Sequence, residues 1–184
     1  MKKLKVISII IIVLFGGLSY YELYRYYNTY NIPDNITDIE ESIKEYIKNP
    51  VSSSDIRYDA KNIKIIELLD VEGNKYGLFS VDEGFGSAEL IIGKNGKYKI
   101  GDIDYFTTNS EIDNSFSMFG VFEVNKTRYL IIFAANPGFK TKYAWAKFGN
   151  DFECTMDIPQ KEYYIAYTPV PDDTTNQMME IEFY

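Results

Sequence analysis

The stretch SAELIIGKNGKYKIGDIDY, residues 87–105, decides the fold of this chain. It holds two runs of strand-forming residues, Ser87–Lys94 and Lys97–Tyr105, joined at Asn95-Gly96. Asn-Gly is a strong hairpin signal because a type I′ turn needs a positive φ at both central residues. Strands joined by so short a link must be antiparallel. The stretch therefore predicts an antiparallel hairpin with a type I′ turn.

Short apolar runs separated by turn residues continue on both sides of this hairpin. Eight further strands are predicted, near Ile63–Asp70, Lys75–Val81, Phe116–Val124, Thr127–Ala134, Lys140–Phe148, Phe152–Asp157, Tyr163–Thr168 and Met178–Tyr184. Turn residues such as Glu72-Gly73-Asn74 and Asn125-Lys126 separate them,. Gly84-Phe85-Gly86, which has acidic residues ahead of it, is interpreted as a tight turn that exposes Phe85 as a contact residue.

One amphipathic helix precedes the strands, from about Thr37 to Lys48. Thr37 followed three residues later by Glu40 is typical of a capping box. Isoleucines recur at helical spacing along a single face, which must cover something apolar. The predicted fold is α+β, with this helix packed on an antiparallel, meander-rich β-sheet. A sandwich and a half-barrel remain open as the form of that sheet.

The chain begins with a basic head and an apolar run, a pattern typical of export. Sixteen uncharged residues follow Lys5, enough for roughly 24 Å of helix, which is short of a bilayer core of about 30 Å,. The difference closes if Lys5 reaches one interface while Tyr20, Tyr21 and Tyr24 lie in the headgroup layer at the other. The positive-inside rule then leaves the N-terminus in the cytoplasm and places the rest outside.

A cleaved secretory signal has the same features and is the alternative to a transmembrane anchor. Gly17 and Ser19 would supply the small residues for cleavage before Tyr20, and the domain would then be secreted. The predicted organisation is an anchor or signal at 1–21, a polar-aromatic stalk at 22–35 and an extracytoplasmic domain at 36–184. This layout resembles that of membrane-anchored domains of Gram-positive bacteria, and the resemblance covers architecture alone.

Charge and composition exclude several classes of function. The chain has no histidine and one cysteine, Cys154, which excludes histidine-dependent nucleophilic catalysis, the usual zinc, copper and non-haem iron sites, and an intramolecular disulfide,. Three of 19 basic residues lie in the head, so 16 face 27 acidic residues from Val6 onward, a net charge of −11. That excess disfavours nucleic acid as a partner. We expect no cofactor and no metal, and Cys154 is interpreted as a packing residue.

Two groups of side chains are candidates for a site. Tyr143 and Trp145 alternate in a strand and therefore share one face, where they would offer an aromatic platform for a glycan or peptide, with Phe85 as a further contact,. Asp102 and Asp104 also share a face, and paired carboxylates can act as general acid and base. The alternative for the aromatic residues is core packing, and for the carboxylates a solvated surface.

The sequence predicts a non-enzymatic binding or accessory module, anchored to the membrane and facing an envelope protein, peptide or glycan. It shows an export signal but no catalytic motif. A small carboxylate-dependent hydrolase and a structural subunit of an envelope complex are the alternatives.

Overall fold

The computed structural model of this protein describes residues 17–49, 58–82, 84–107, 116–149, 152–172 and 178–184. Within these ranges it holds two helices, ten strands and one short 3₁₀ turn at Pro137–Phe139. The predicted α+β, β-rich class is confirmed. Neither described helix has the length and apolar character needed to cross a bilayer. Most of the predicted anchor, including Lys5, lies outside the described residues.

The two helices are α1, residues 17–29, and α2, Ile36–Lys48. Asn35 is the N-cap of α2, and its Oδ1 accepts a hydrogen bond from the backbone N–H of Asp38 at 3.0 Å. The capping box predicted at Thr37 and Glu40 is therefore wrong, because Thr37 already lies inside the first turn. The Glu40 carboxylate instead accepts a backbone hydrogen bond from a neighbouring strand at 2.8 Å.

All ten predicted strands are present and form three antiparallel sheets. Their bounds are β1 (Ile63–Val71), β2 (Asn74–Val81), β3 (Gly84–Ile92), β4 (Tyr98–Thr107), β5 (Ser117–Val124), β6 (Thr127–Ala135), β7 (Tyr143–Phe148), β8 (Phe152–Asp157), β9 (Tyr163–Val170) and β10 (Met178–Phe183). In spatial order the first sheet is β1-β2-β3-β4, the second is β5-β6-β9 and the third is β10-β7-β8.

The type I′ conformation occurs at other turns than the one predicted. Both central residues have a positive φ at Glu72-Gly73 (52° and 92°) and at Asn125-Lys126 (50° and 70°), each closing a two-residue hairpin. At Asn95-Gly96 the hairpin forms, but Gly96 alone has a positive φ, of 71°. The predicted turn type is therefore wrong at this position.

The β3–β4 loop has three residues, and the Asn95 side chain makes hydrogen bonds both within the loop and to the segment after α1. The backbone N–H of Gly93 donates to the carbonyl of Lys97, which leaves three residues in the loop. The Asn95 amide accepts from the N–H of Lys97 at 3.2 Å and donates to the carbonyl of Tyr30 at 2.9 Å. The second bond ties the loop to the segment that follows α1.

Helix α2 covers one face of the first sheet. Ile39, Ile43 and Ile47 are fully buried in one apolar cluster with Phe79 and Leu90 of that sheet. The isoleucine stripe predicted from the sequence is thus the face that packs, and burying it is what keeps this helix on the sheet.

The three sheets stack face to face behind this helix, so the fold has four layers. The side of the first sheet away from α2 packs on the second sheet, with Tyr76 and Leu78 in one cluster with Ile131. The other side of the second sheet packs on the third, through Leu130 and Phe148. The chain therefore forms a sandwich extended by a third sheet, rather than a half-barrel.

Gly84-Phe85-Gly86 is not the predicted tight turn. All three residues lie in β3, and the hairpin turn precedes them. Glycine is needed at 86 because a Cβ there would overlap the ring of Phe79 and lie 2.7 Å from the carbonyl oxygen of Asp104. Gly86 therefore allows a close approach within the sheet,.

Cys154 of β8 is half-buried and packs against the apolar cluster between the second and third sheets. Burial raises the pKa of its thiol above the usual value. The thiolate that reacts with oxidants and metals is therefore disfavoured, which fits the predicted packing role.

Candidate functional site

A cleft of about 410 Å³ opens between β4, at the edge of the first sheet, and β5, at the edge of the second. It combines carboxylate, hydroxyl and aromatic groups in one space. The residues that line it are Ser87, Asp102, Asp104, Tyr105, Phe106, Ser117, Met118, Phe119, Gly120, Val121, Phe122 and Phe133. Binding sites commonly combine an apolar lining with a few placed polar groups, and this cleft does so.

Ser87 contributes a hydroxyl to the surface of the cleft. Its side of β3 faces the second sheet, since it pairs with Leu78 of β2 and with Asp104 of β4. The residue is 8% exposed, and its hydroxyl has no hydrogen-bond partner among the described residues. The hydroxyl is not among the buried unpaired atoms of the described residues, so it is open to the cleft and available to water or to a ligand.

Asp102 and Asp104 bring negative charge to the cleft. Both line it, as expected from their alternation along one strand, and both are exposed to solvent. Asp102 Oδ1 accepts a hydrogen bond from the backbone N–H of Ile103 at 3.0 Å. No basic side chain is among the described residues that line the cleft, so its charge is wholly negative.

A third carboxylate lies deeper in the same region. Glu89 of β3 accepts a hydrogen bond from the hydroxyl of Tyr76 at 3.0 Å. Burial raises the pKa of the Glu89 carboxyl, and the charge of Asp102 adds to that rise, while the Tyr76 bond and Lys99 oppose it. Burial, followed by the charge of Glu89, likewise raises the pKa of Tyr76. Glu89 is therefore easier to protonate than an ordinary glutamate.

The aromatic wall of the cleft comes from β5. Phe119 is 45% exposed, a large fraction for a phenylalanine. Phe122 is half-buried, and its ring packs edge-on against Tyr76 at 4.9 Å between centroids and against Phe133 at 6.4 Å. One ring is thus held in place by the core while the other stays open to a ligand.

The predicted aromatic platform lies elsewhere, on the outer face of the third sheet. Tyr143 and Trp145 share that face as expected, and Trp145 is half-buried on it while Ala144 and Ala146 point into the core. The Tyr143 ring stacks on Tyr184 at 5.0 Å. Trp145 is therefore not a core residue, and this face remains a second candidate surface.

The structure does not bring Phe85 together with that platform. Phe85 is half-buried, and its ring stacks on Phe116 at 4.3 Å and lies 5.5 Å from that of Tyr163. A further neighbour, Phe106, lines the cleft at 6.5 Å from Phe85. Phe85 thus packs within an aromatic cluster beside the cleft. The prediction that it is an exposed loop residue is wrong.

The predicted interface tyrosines lie on α1. Tyr20, Tyr21 and Tyr24 are 72%, 58% and 58% exposed. Tyr26 and Tyr30 follow on the side that meets the β3–β4 hairpin, where the Tyr26 hydroxyl accepts a hydrogen bond from the backbone of the loop. The aromatic segment after the apolar run is thus fastened to the domain at one end and exposed at the other.

Sequence reasoning missed Ser87 and Phe119. An isolated serine in a strand carries no signal of its own, and its importance follows from the pairing that sets it beside Asp104. Phe119 belongs to an apolar run whose exposed members cannot be recognised without knowing that β5 is an edge strand. Both depend on strand order, which a single sequence does not show.

Comparison of the chain with protein-family models, with curated proteins and with solved structures found no match.

Proposed function

We propose that this chain is a binding module of the cell envelope, and that the cleft between β4 and β5 is its ligand site. The observation that carries the proposal is the cleft itself, in which carboxylates of β4 lie beside exposed aromatic carbon of β5. An apolar lining with a few placed polar groups is typical of binding sites.

Attachment to the membrane is part of the same proposal. The apolar run at residues 6–19 continues into α1, and exposed tyrosines cover the part of α1 nearest to it. Tyrosines at this position favour the headgroup layer. The N-terminus would lie in the cytoplasm and the domain outside. Cleavage before Tyr20 would release the domain instead.

Site-specific photocrosslinking in intact cells tests the binding site. The photoreactive residue p-benzoylphenylalanine replaces Phe119 in the cleft and, as a matched control, Tyr143 on the third sheet, which has a similar exposure of 41%. A third variant carries it at exposed Lys64 of β1. We expect a discrete adduct from position 119 and none from 64.

The outcomes separate the two candidate surfaces. An adduct from 143 without one from 119 would move the site to the third sheet and overturn the proposed cleft. Equal labelling from all three positions, or from none, would contradict a specific binding function.

A second candidate is a carboxylate-dependent hydrolase, favoured by the pair Glu89 and Asp102. One carboxyl has a raised pKa, as a general acid requires, and the other lines the cleft,. The test is release of new reducing ends from purified envelope glycan. Asp102→Asn should abolish release while Asp157→Asn, which removes an exposed carboxylate of β8, should not. Glycan left intact by the wild type would exclude this function.

A further inference from the structure

A second groove, which shares no residue with the cleft, lies between α1 and the tip of the β3–β4 hairpin. We propose that this α1–hairpin groove seats the headgroup of an anionic phospholipid. The inference rests on the membrane attachment proposed above and names the class of lipid that the domain contacts. The groove has a volume of about 450 Å³ and is lined by Ser19, Glu22, Leu23, Tyr26, Tyr27, Lys94 and Asn95. Its α1 residues recur three and four positions apart, so they form one face of the helix.

The hairpin is held against α1, so the two walls of the groove keep a fixed spacing. The backbone N–H of Lys94 donates to the Tyr26 hydroxyl, and the Asn95 side chain donates to the carbonyl of Tyr30 at 2.9 Å. Gly93 makes this approach possible, because a Cβ there would lie 2.7 Å from the Tyr26 hydroxyl and from the Tyr30 ring. The groove is therefore already formed before a ligand enters it.

The hairpin concentrates positive charge in an acidic chain. Residues 93–99 include Lys94, Lys97 and Lys99 and no acidic residue, whereas the rest of the chain from Val6 onward has 13 basic and 27 acidic residues. Lys94 and Lys97 are exposed, and neither forms an ion pair with a described residue. An anionic lipid surface attracts such a segment and repels the rest of the chain. The charge distribution therefore favours an orientation with the hairpin towards the bilayer.

The apolar run ahead of α1 independently points to lipid as the occupant. That run begins at Val6 and leads directly into α1, which starts at residue 17. Ser19 and Leu23 of the groove lie in the first two turns of α1, among the exposed tyrosines that favour the headgroup layer,. Lys94 lines the groove together with Ser19, so the hairpin reaches the same level. A lipid phosphate beside α1 would therefore meet basic side chains of the domain.

The lining of the groove matches both parts of a phospholipid. Lys94 and the hydroxyl of Ser19 are donors for a phosphate,. Leu23 and Tyr27 offer carbon surface to the glycerol and the first methylene groups, and tyrosine suits a position that is apolar at one end and wet at the other,. A free phosphate would use the donors alone. Glu22 also lines the groove and opposes an anion, so its removal should strengthen the binding.

Photocrosslinking to lipid tests the inference on the full chain, in nanodiscs of equimolar phosphatidylglycerol and phosphatidylcholine. p-Benzoylphenylalanine replaces Tyr27 in the groove or, as a matched control, Tyr21, which lies on another face of α1. The two positions have similar exposures, 53% and 58%. Mass spectrometry then identifies the lipid in each adduct. We expect phosphatidylglycerol to exceed phosphatidylcholine at least about fivefold at position 27, and to match the composition of the bilayer at position 21.

Variants assign the lipid preference to the groove. Lys94→Gln together with Lys97→Gln should return the ratio at position 27 to about one. Lys64→Gln together with Lys140→Gln removes the same charge at exposed positions elsewhere and should leave the ratio within about twofold,. Glu22→Gln should raise the ratio. An excess of inorganic phosphate distinguishes the two sources of phosphate, since a lipid site keeps its preference and a free-phosphate site loses it. Circular dichroism checks that each variant is folded.

Three results would overturn the inference and leave the membrane attachment standing. Equal labelling of the two lipids at both positions would show that α1 contacts lipid without recognising its headgroup. Adducts at position 27 that form only within the chain, beside lipid adducts at position 21, would show that the groove is closed to lipid. Loss of the preference in the Lys64 and Lys140 variant would show an effect of net charge. The absence of lipid adducts at both positions would instead count against the membrane attachment itself.

Discussion

Asp82 joins the segment ahead of β1 to the turn between β2 and β3. Its carboxylate accepts hydrogen bonds from the Tyr58 hydroxyl at 2.7 Å and from the backbone N–H groups of Asn62 at 2.9 Å and Lys61 at 3.2 Å. The Tyr58 bond, followed by the backbone bonds, lowers the pKa of Asp82. The ionised form is thus the one that the folded chain favours.

We expect Asp82→Ala to lower the melting temperature at neutral pH because three donors lose their acceptor. A depressed pKa in the folded state stabilises the fold above the unfolded value, near 3.8, and this contribution is lost as the pH falls through the folded value,. The difference in melting temperature between wild type and variant should therefore shrink below about pH 4. Thermal melts followed by circular dichroism measure it, with Asp157→Asn as control. A difference that is unchanged at acid pH would contradict this account.

Glu89 has the opposite dependence on pH. Burial raises the pKa of its carboxyl, so the folded state favours the protonated form. This contribution is fully present below the unfolded value, near 4.5, and is lost as the pH rises through the folded value,. Glutamine has no charge and keeps an oxygen that can accept from Tyr76.

Glu89→Gln should therefore stabilise the fold relative to the wild type as the pH is raised from about 4 to about 7. Urea denaturation across that range measures the effect. Glu153→Gln on β8, where the carboxylate is exposed and 3.4 Å from Lys147, provides the control and should show no such gain. A stability difference for Glu89→Gln that does not depend on pH would contradict the burial of this charge.

At the scale of elements, the sequence prediction and the structure differ at the start of α2. Asn35 caps the helix in the structure, whereas the capping-box pattern pointed to Thr37. We expect Asn35→Ala to reduce the free energy of unfolding by about 1 kcal/mol. Thr37→Ala, an exposed position inside the first turn, should change it by less than about 0.5 kcal/mol. Chemical denaturation measures both, and the reverse order would restore the capping box.

The strands themselves could be predicted because their signals are local. Turn residues such as Glu72-Gly73 and Asn125-Lys126 set most of the boundaries, and the chemistry of each lies within two residues of sequence,. Gly84-Phe85-Gly86 was predicted to be a turn because two closely spaced glycines are typical of turns in the local sequence. Its true cause is Phe79, whose ring occupies the space above Gly86 in the folded sheet.

The candidate site could be predicted only in part for the same reason. Asp102 and Asp104 share a face by alternation within one strand, and that was visible in the sequence. Their proximity to Phe119 depends on the edge of one sheet meeting the edge of another. Such contacts join residues far apart in the chain, so pattern and propensity cannot supply them.

At the scale of the whole molecule, two central strands connect all four layers. In β2, Leu78 packs towards the second sheet and Phe79 towards α2. In β6, Ile131 packs towards the first sheet and Leu130 towards the third. Removal of any layer would expose a strand that is now buried on both faces, so we expect the described layers to unfold together.

A cavity beneath α2 should therefore also destabilise the layer at the opposite side of the molecule. Ile43 is fully buried under the helix, and Ile43→Ala should reduce the free energy of unfolding by about 3 kcal/mol,. Trp145, the single tryptophan, lies on the third sheet and reports by fluorescence on that layer. The denaturation midpoint measured by tryptophan fluorescence should fall as far as the midpoint measured by circular dichroism.

The control is Ile36→Ala, on the exposed side of the same helix at 55% exposure, which should move neither midpoint appreciably,. If α2 and the first sheet instead unfolded as a separate unit, the tryptophan midpoint would stay at the wild-type value while the dichroism transition split in two.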